Sequence, residues 1–156
     1  MGGPHEVHLA SCCQYFWTDN AGAWWLAAPF KRPVLITNNA TQRPRRGKMP
    51  DNHLIVPVRY REWSGRDLTF QEIYSKSNAF HYKAASREEL QIVRKTAAEI
   101  VDAEREIPAR IDGNWTGSDK QLELQHRLRQ VQADFPEIHP VNVSSSWLSR
   151  YPHLLD

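Results

Sequence analysis

The stretch TDNAGAWWLAAPFKRPVLITN, residues 18–38, constrains the fold more than any other part of the chain. A polar turn and two small residues, Ala21 and Gly22, open an apolar helical run, and the run Val34-Leu35-Ile36 follows Pro33. Upstream, QYFWT has the composition of a strand and EVHLASCC the spacing of a helix; downstream, beyond a charged loop, HLIVPV reads as a third strand. Strands that alternate with helices need crossover connections, which are right-handed and leave neighbouring strands parallel. The expected class is therefore α/β with a mainly parallel sheet.

The rest of the chain reads as helical. Ser86 with Glu89 has the pattern of a capping box, and Leu90, Val93, Ala97 and Ile100 follow at spacings of three and four, which predicts a helix over 87–106. IPARIDGNWTG reads as the loop after it. Ser118 with Gln121 repeats the box, and Leu124, Leu128, Val131 and Phe135 mark the buried face of a helix that must stop before Pro136. VSSSWLSRYPHLLD is expected to form a short serine-capped helix, closed by Pro152 and docked through Trp147, Leu148 and Leu154.

At 156 residues the chain has the length of one domain, and 40% hydrophobic with 24% charged residues is ordinary globular composition. No apolar run approaches the ~20 residues needed to span a bilayer. MGGPHEVHLASCCQ has neither a basic leader nor a long apolar segment, so a cytoplasmic location is expected. The net charge of +2 does not select nucleic acid as a partner. Cys12 and Cys13 are adjacent, which disfavours a disulfide, and are expected to be inert, partly buried thiols. The sequons at Asn39, Asn114 and Asn142 read as chance matches. The seven histidines include no HExxH or HxH pair, so no metal and no cofactor are expected, and Ser144 to Ser146 lack the GxSxG elbow of a hydrolase.

A strand that turns sharply into a helix leaves unpaired backbone N–H groups at the helix start, which is a site for an anion. Gly22 would let a phosphate approach the backbone closely, while Thr18 or Asn20 would offer a side-chain hydrogen bond or a cap. The plainer reading is a βα turn kept for packing. The basic loop carrying Arg43, Arg45, Arg46 and Lys48 reads first as a solvated loop, then as a phosphate contact, and last as a contact to nucleic acid. Trp24 and Trp25 are expected in the core or at an interface, and Trp63, placed in the loop after the third strand, is the better candidate to touch a sugar.

At these residues a resemblance enters. CCQYFWTDNAGAWWLAAPFKRPVLITN, then RP, then LIVPVRYREWSGRDLTFQEI, and finally SSSWLSRYPHLL resemble the carboxyl-terminal part of a bacterial glycosyltransferase family of surface-polysaccharide biosynthesis. That family reads G-T-D/S-S-G, an apolar helix, G-x-P-x-x-x-T-N, R-P, a LFIPK strand, LTFxEI and a closing FLxxHPELL. The likeness runs from about Cys13 to Ile73 and resumes near the end. More distantly the chain is similar to the nucleotide-sugar half of B-type glycosyltransferases, which have two Rossmann domains, heptosyltransferases among them.

The resemblance implies a partial Rossmann-like parallel sheet, with residues 1–110 as a nucleotide-sugar-binding portion incomplete at its N-terminus and 111–156 as a helical extension packed on it. It places Thr18, Asp19, Asn20, Ala21 and Gly22 on the G-T-D/S-S-G positions, Pro33, Thr37 and Asn38 on P…T-N, and Arg43 and Pro44 on R-P. The implied donor-binding residues are Thr18, Asp19, Asn20, Ala21, Gly22, Asn38 and Arg43. Asn20 and Ala21 depart from the acidic and serine positions, and the heptosyltransferase histidine falls on Trp25. Backbone anchoring of a diphosphate needs only the turn and Gly22.

In such a transfer the leaving diphosphate gains negative charge, which N–H groups and arginines would meet without a metal. Two charge-assisted bonds, at ~1.5–3 kcal/mol each before ordering costs, would once those costs are subtracted hold a ligand no tighter than about millimolar. The resemblance further implies that the catalytic base and the glycan or polysaccharide acceptor belong to an amino-terminal domain upstream of Met1, which would leave an edge strand near Gln14 to Trp17 exposed. The alternative is a non-catalytic α/β remnant or interaction domain with an anion site.

Overall fold

Val34, Leu35 and Ile36 are buried on both faces of their strand, as only a central strand of a covered parallel sheet can be. A computed structural model describes residues 3–19, 23–39, 53–75, 90–136 and 140–156 of the chain. In it β1 (Phe16–Thr18), β2 (Val34–Asn39) and β3 (Leu54–Pro57) form a parallel sheet in the order β1-β2-β3. The register pairs Trp17 with Leu35 and Leu35 with Leu54. All four residues of β3 are buried, and β1 is the half-exposed edge. The fold is thus α/β around a three-stranded parallel sheet.

Beyond β3 the sheet gains one parallel bridge, Ile55 to Val143, in which the Ile55 N–H donates to the Asn142 carbonyl at 2.8 Å and the Ser144 N–H donates to the Ile55 carbonyl at 2.9 Å. A separate antiparallel pair, β4 (Arg59–Glu62) with β5 (Leu90–Val93), follows β3. The helices are α1 (Pro4–Cys12), α2 (Phe70–Ser75), α3 (Ala97–Ile111), α4 (Asp119–Ala133) and α5 (Ser145–Arg150). The buried core is continuous from Trp24 through Phe70, Ile107 and Leu128 to Leu155.

The helix expected over 87–106 is corrected. Leu90 to Val93 pair with β4 as a strand, and the helix begins only at Ala97, behind a capping box made by Thr96 and Glu99. Its buried positions are Glu99, Ala103, Glu106 and Ile107, not Leu90, Val93, Ala97 and Ile100. The supposed box at Ser86 and Glu89 lies outside the described residues. The helix also continues through Pro108, so that IPARI belongs to it, and Gly113 at φ +70 follows its end in the left-handed conformation that favours glycine.

The segment after the polar turn is corrected as well. Residues 23–30 form two 3-10 turns, Ala23–Leu26 and Ala28–Phe30, rather than one α-helix. Pro29 has no N–H to give the Trp25 carbonyl, and the bonds that form are i to i−3, Ala27 to Trp24 at 3.0 Å and Phe30 to Ala27 at 3.1 Å. Lys31, at φ 53, closes the second turn.

The expectations for α4 hold: Ser118 and Gln121 cap it, Leu124 and Leu128 are buried, Val131 and Phe135 pack against the core, and it ends at Ala133. In α5, Trp147 and Leu148 are buried, as is Leu154 beyond it. Ser144 is its N-cap, but its hydroxyl donates to the Glu106 carboxylate at 2.8 Å instead of capping. Cys13 is partly buried, whereas Cys12 is exposed; both thiols are free.

Candidate functional site

β1 and β2 end side by side, and in parallel sheets such carboxyl ends are where ligands bind. Alternation along β2 puts Leu35 and Thr37 on one face, with Trp17 of β1 opposite Leu35 on that face. Thr37 is buried, and its hydroxyl donates to the Thr18 carbonyl at 3.4 Å while accepting from the Trp17 indole N–H at 3.3 Å. This one hydroxyl ties together the two strand ends. Asp19 follows at the surface.

The next residue breaks the ladder. The pairing of β2 with β3 shifts between Thr37 and Asn39, and Asn38 between them has a left-handed φ of 57. Asparagine tolerates that conformation better than most residues, and a bulge re-aims the side chain it carries. The Asn38 side-chain oxygen accepts a hydrogen bond from Lys95 Nζ at 3.3 Å. Lys95 stands just before Thr96, the N-cap of α3, so the capping box fixes where the chain enters the helix directly after it. Burial lowers the Lys95 pKa to about 7, against the opposing pull of Glu99.

A second polar cluster flanks the start of α3. Burial works to raise the Glu99 pKa, but hydrogen bonds from Thr96 and the Tyr151 hydroxyl hold it below the usual carboxylate range. Burial and the Glu99 bond push the Tyr151 phenol up. The Arg59 guanidinium lies 4.2 Å from the Tyr151 ring centroid and bonds Asp67 at 2.7 Å. Arg61 also bonds Asp67 at 2.7 Å, and the two guanidiniums overcome burial and lower the Asp67 pKa.

The sheet therefore brings Thr18, Asp19, Thr37 and Asn38 to one edge. Asn20, Ala21, Gly22 and Arg43 lie outside the described residues, as do Arg45, Arg46 and Lys48. One support for the anion site is corrected: the four-residue 3-10 turn Ala23–Leu26 has no helix macrodipole of the strength expected from an α-helix. Trp24 is buried and Trp25 half-exposed, their rings stacked with centroids 4.1 Å apart. Trp63 is 69% exposed, in the turn after β4 rather than directly after the third strand.

Two site residues escaped the sequence reading. Trp17 looked like one more strand residue. Lys95 fell inside a mistaken helix, although Thr96-Ala97-Ala98-Glu99 is itself a capping-box pattern that marks a helix start immediately after it.

No protein-family model, no curated protein and no solved structure matches the chain. Among the described residues, no helix is long and apolar enough to cross a membrane, and no group of three or more His, Cys, Asp or Glu could hold a metal ion.

Proposed function

We propose that the chain is the donor-binding portion of a glycosyltransferase, a partial Rossmann-like domain of the B-type architecture that holds the diphosphate of a nucleotide sugar used in surface-polysaccharide or glycan synthesis. The supporting observation is the contact between the two motif segments: the Thr37 hydroxyl reaches the Thr18 carbonyl at 3.4 Å, at the carboxyl ends of adjacent parallel strands. A diphosphate at this edge would meet Asn38 from β2 and Lys95 from the segment just before α3, with the backbone at Asn20, Ala21 and Gly22 and the side chain of Arg43 as the further contacts that the resemblance implies. An amine and an amide joined by a hydrogen bond at the end of a parallel sheet suit an anion, because the amine when protonated and the amide NH2 both donate. The acceptor and the base that takes its proton are assigned to a separate amino-terminal domain.

Ligand-observed NMR of the chain with UDP-, GDP-, ADP- and CMP-linked sugars tests this reading, repeated on Gly22→Val and Asn38→Ala. One donor should bind, and binding should be lost in Gly22→Val and weakened in Asn38→Ala while the far-UV circular dichroism stays unchanged. Silence from the folded wild type across the panel would leave an α/β interaction domain with no donor site.

A further inference from the structure

Trp17 is 52% exposed although it lies on a sheet face whose neighbouring positions, Leu35 and Thr37, are buried. Its N–H is spent inward, on the buried Thr37 hydroxyl at 3.3 Å, so that bond fixes the polar edge of the indole and leaves ring surface facing solvent. An aromatic ring with a satisfied polar edge and an open face suits stacking, which needs a rigid apolar plane and no further hydrogen bond. The Trp25 ring differs, since one face is already stacked on Trp24. Thr37, which holds Trp17, is followed directly by Asn38, which holds Lys95 Nζ at 3.3 Å. An aromatic plane and an amine are thus anchored on consecutive residues of β2, and the bulge with its left-handed Asn38 breaks the alternation that would otherwise send them to opposite faces, so that one ligand carrying a flat ring and an anion can address both.

We propose that Trp17 is the stacking platform for the base of a nucleoside diphosphate whose phosphates are met by Lys95 and Asn38. The proposal rests on the donor-binding reading above and adds to it the nucleobase subsite, which the sequence resemblance does not supply. Stacking is tolerant of base identity, because every base has a π-face, so Trp17 contributes affinity and leaves selection among bases to other residues.

Isothermal titration of the whole chain with UDP, GDP, ADP and CDP, and separately with inorganic pyrophosphate, tests it on wild type, Trp17→Ala, Trp17→Phe and Lys95→Met. Trp17→Ala should weaken the nucleoside diphosphates at least fivefold, the lower end of what a base–aromatic stack contributes, and leave pyrophosphate unchanged. Trp17→Phe, which keeps a ring but loses the bond to Thr37, should recover most of the affinity. Lys95→Met should weaken both classes of ligand. Unchanged nucleoside diphosphate binding in Trp17→Ala would overturn the platform and leave the donor-binding reading standing; no binding of any probe to wild type would overturn both. Equal losses of pyrophosphate and nucleoside diphosphate in Trp17→Ala would assign Trp17 to holding Thr37 in place and would also overturn the platform.

Discussion

The junction of α3 with α5 and the carboxyl edge of the parallel sheet both gather polar side chains, but they satisfy them differently. At the junction Glu106 is 7% exposed and its carboxylate accepts from the Ser145 N–H at 2.9 Å, from the Ser144 hydroxyl at 2.8 Å and from Arg110 Nε at 2.8 Å. The Ser145 hydroxyl in turn accepts from Arg110 at 3.0 Å and Gln125 at 2.9 Å. Such a network is closed: a carboxylate from one helix caps the start of another, and little hydrogen-bonding capacity is left to offer a ligand. At the sheet edge the Lys95 ammonium, with three donor hydrogens when charged, has the Asn38 oxygen as its hydrogen-bond partner, and the Trp17 ring faces water. The first arrangement holds the fold together, and the second has capacity to spare.

The contrast can be broken or sharpened by substitution. Glu106→Ala should have the largest effect, a loss of about 3–5 kcal/mol in urea unfolding, since it strands Arg110 and the buried Ser144 and Ser145 groups together. A loss below about 1 kcal/mol would mean that the junction relaxes as readily as a surface.

Lys95→Met should act in the opposite direction. With a folded pKa of about 7 against an ordinary 10.5, the unfolded chain binds more protons across that window, so Lys95 makes stability rise with pH from about 7 to 10.5. Removing the amine should flatten that rise and stabilise the protein on the order of 1 kcal/mol near pH 6, less than the whole shift implies because the nitrogen keeps a hydrogen bond and some solvent. Unfolding midpoints between pH 6 and 10 would read the slope directly.

Thr37→Val should cost about 1 kcal/mol, the net worth of a lost buried hydrogen bond, and should loosen the Trp17 indole, a change visible in the indole N–H resonance. Trp17→Ala should cost a similar amount, on the order of 1 kcal/mol by thermal unfolding, because it loses the same bond while half of the ring is already in water.

What could be read from the sequence followed from local rules. Val34-Leu35-Ile36 is apolar without alternation and proved to be a central parallel strand, and the Ser118 box marked the start of α4. Leu90, Val93, Ala97 and Ile100 misled because spacings of three and four can straddle a strand and the helix after it. The Thr96–Glu99 box carried the boundary, and Pro29 carried the 3-10 geometry of residues 23–30. The site was less legible than the fold. Thr37 and Asn38 lie on a motif, but the burial of Lys95 depends on α3 starting beside the end of β2, and the exposure of Trp17 depends on β1 being the edge.

The short bridge between β3 and Val143 has a consequence for how the chain acquires its structure. Ile55 exchanges both of its backbone hydrogen bonds with Asn142 and Ser144, and the Asn142 N–H donates to His53 across 89 residues of sequence. Contacts so distant along the chain raise contact order and slow folding, because a long loop must close before any of them form. During synthesis, therefore, β3 can pair with β2 as soon as both are made, while the outer flank of Leu54-Ile55-Val56 waits for residues 142–144 before it gains this backbone partner.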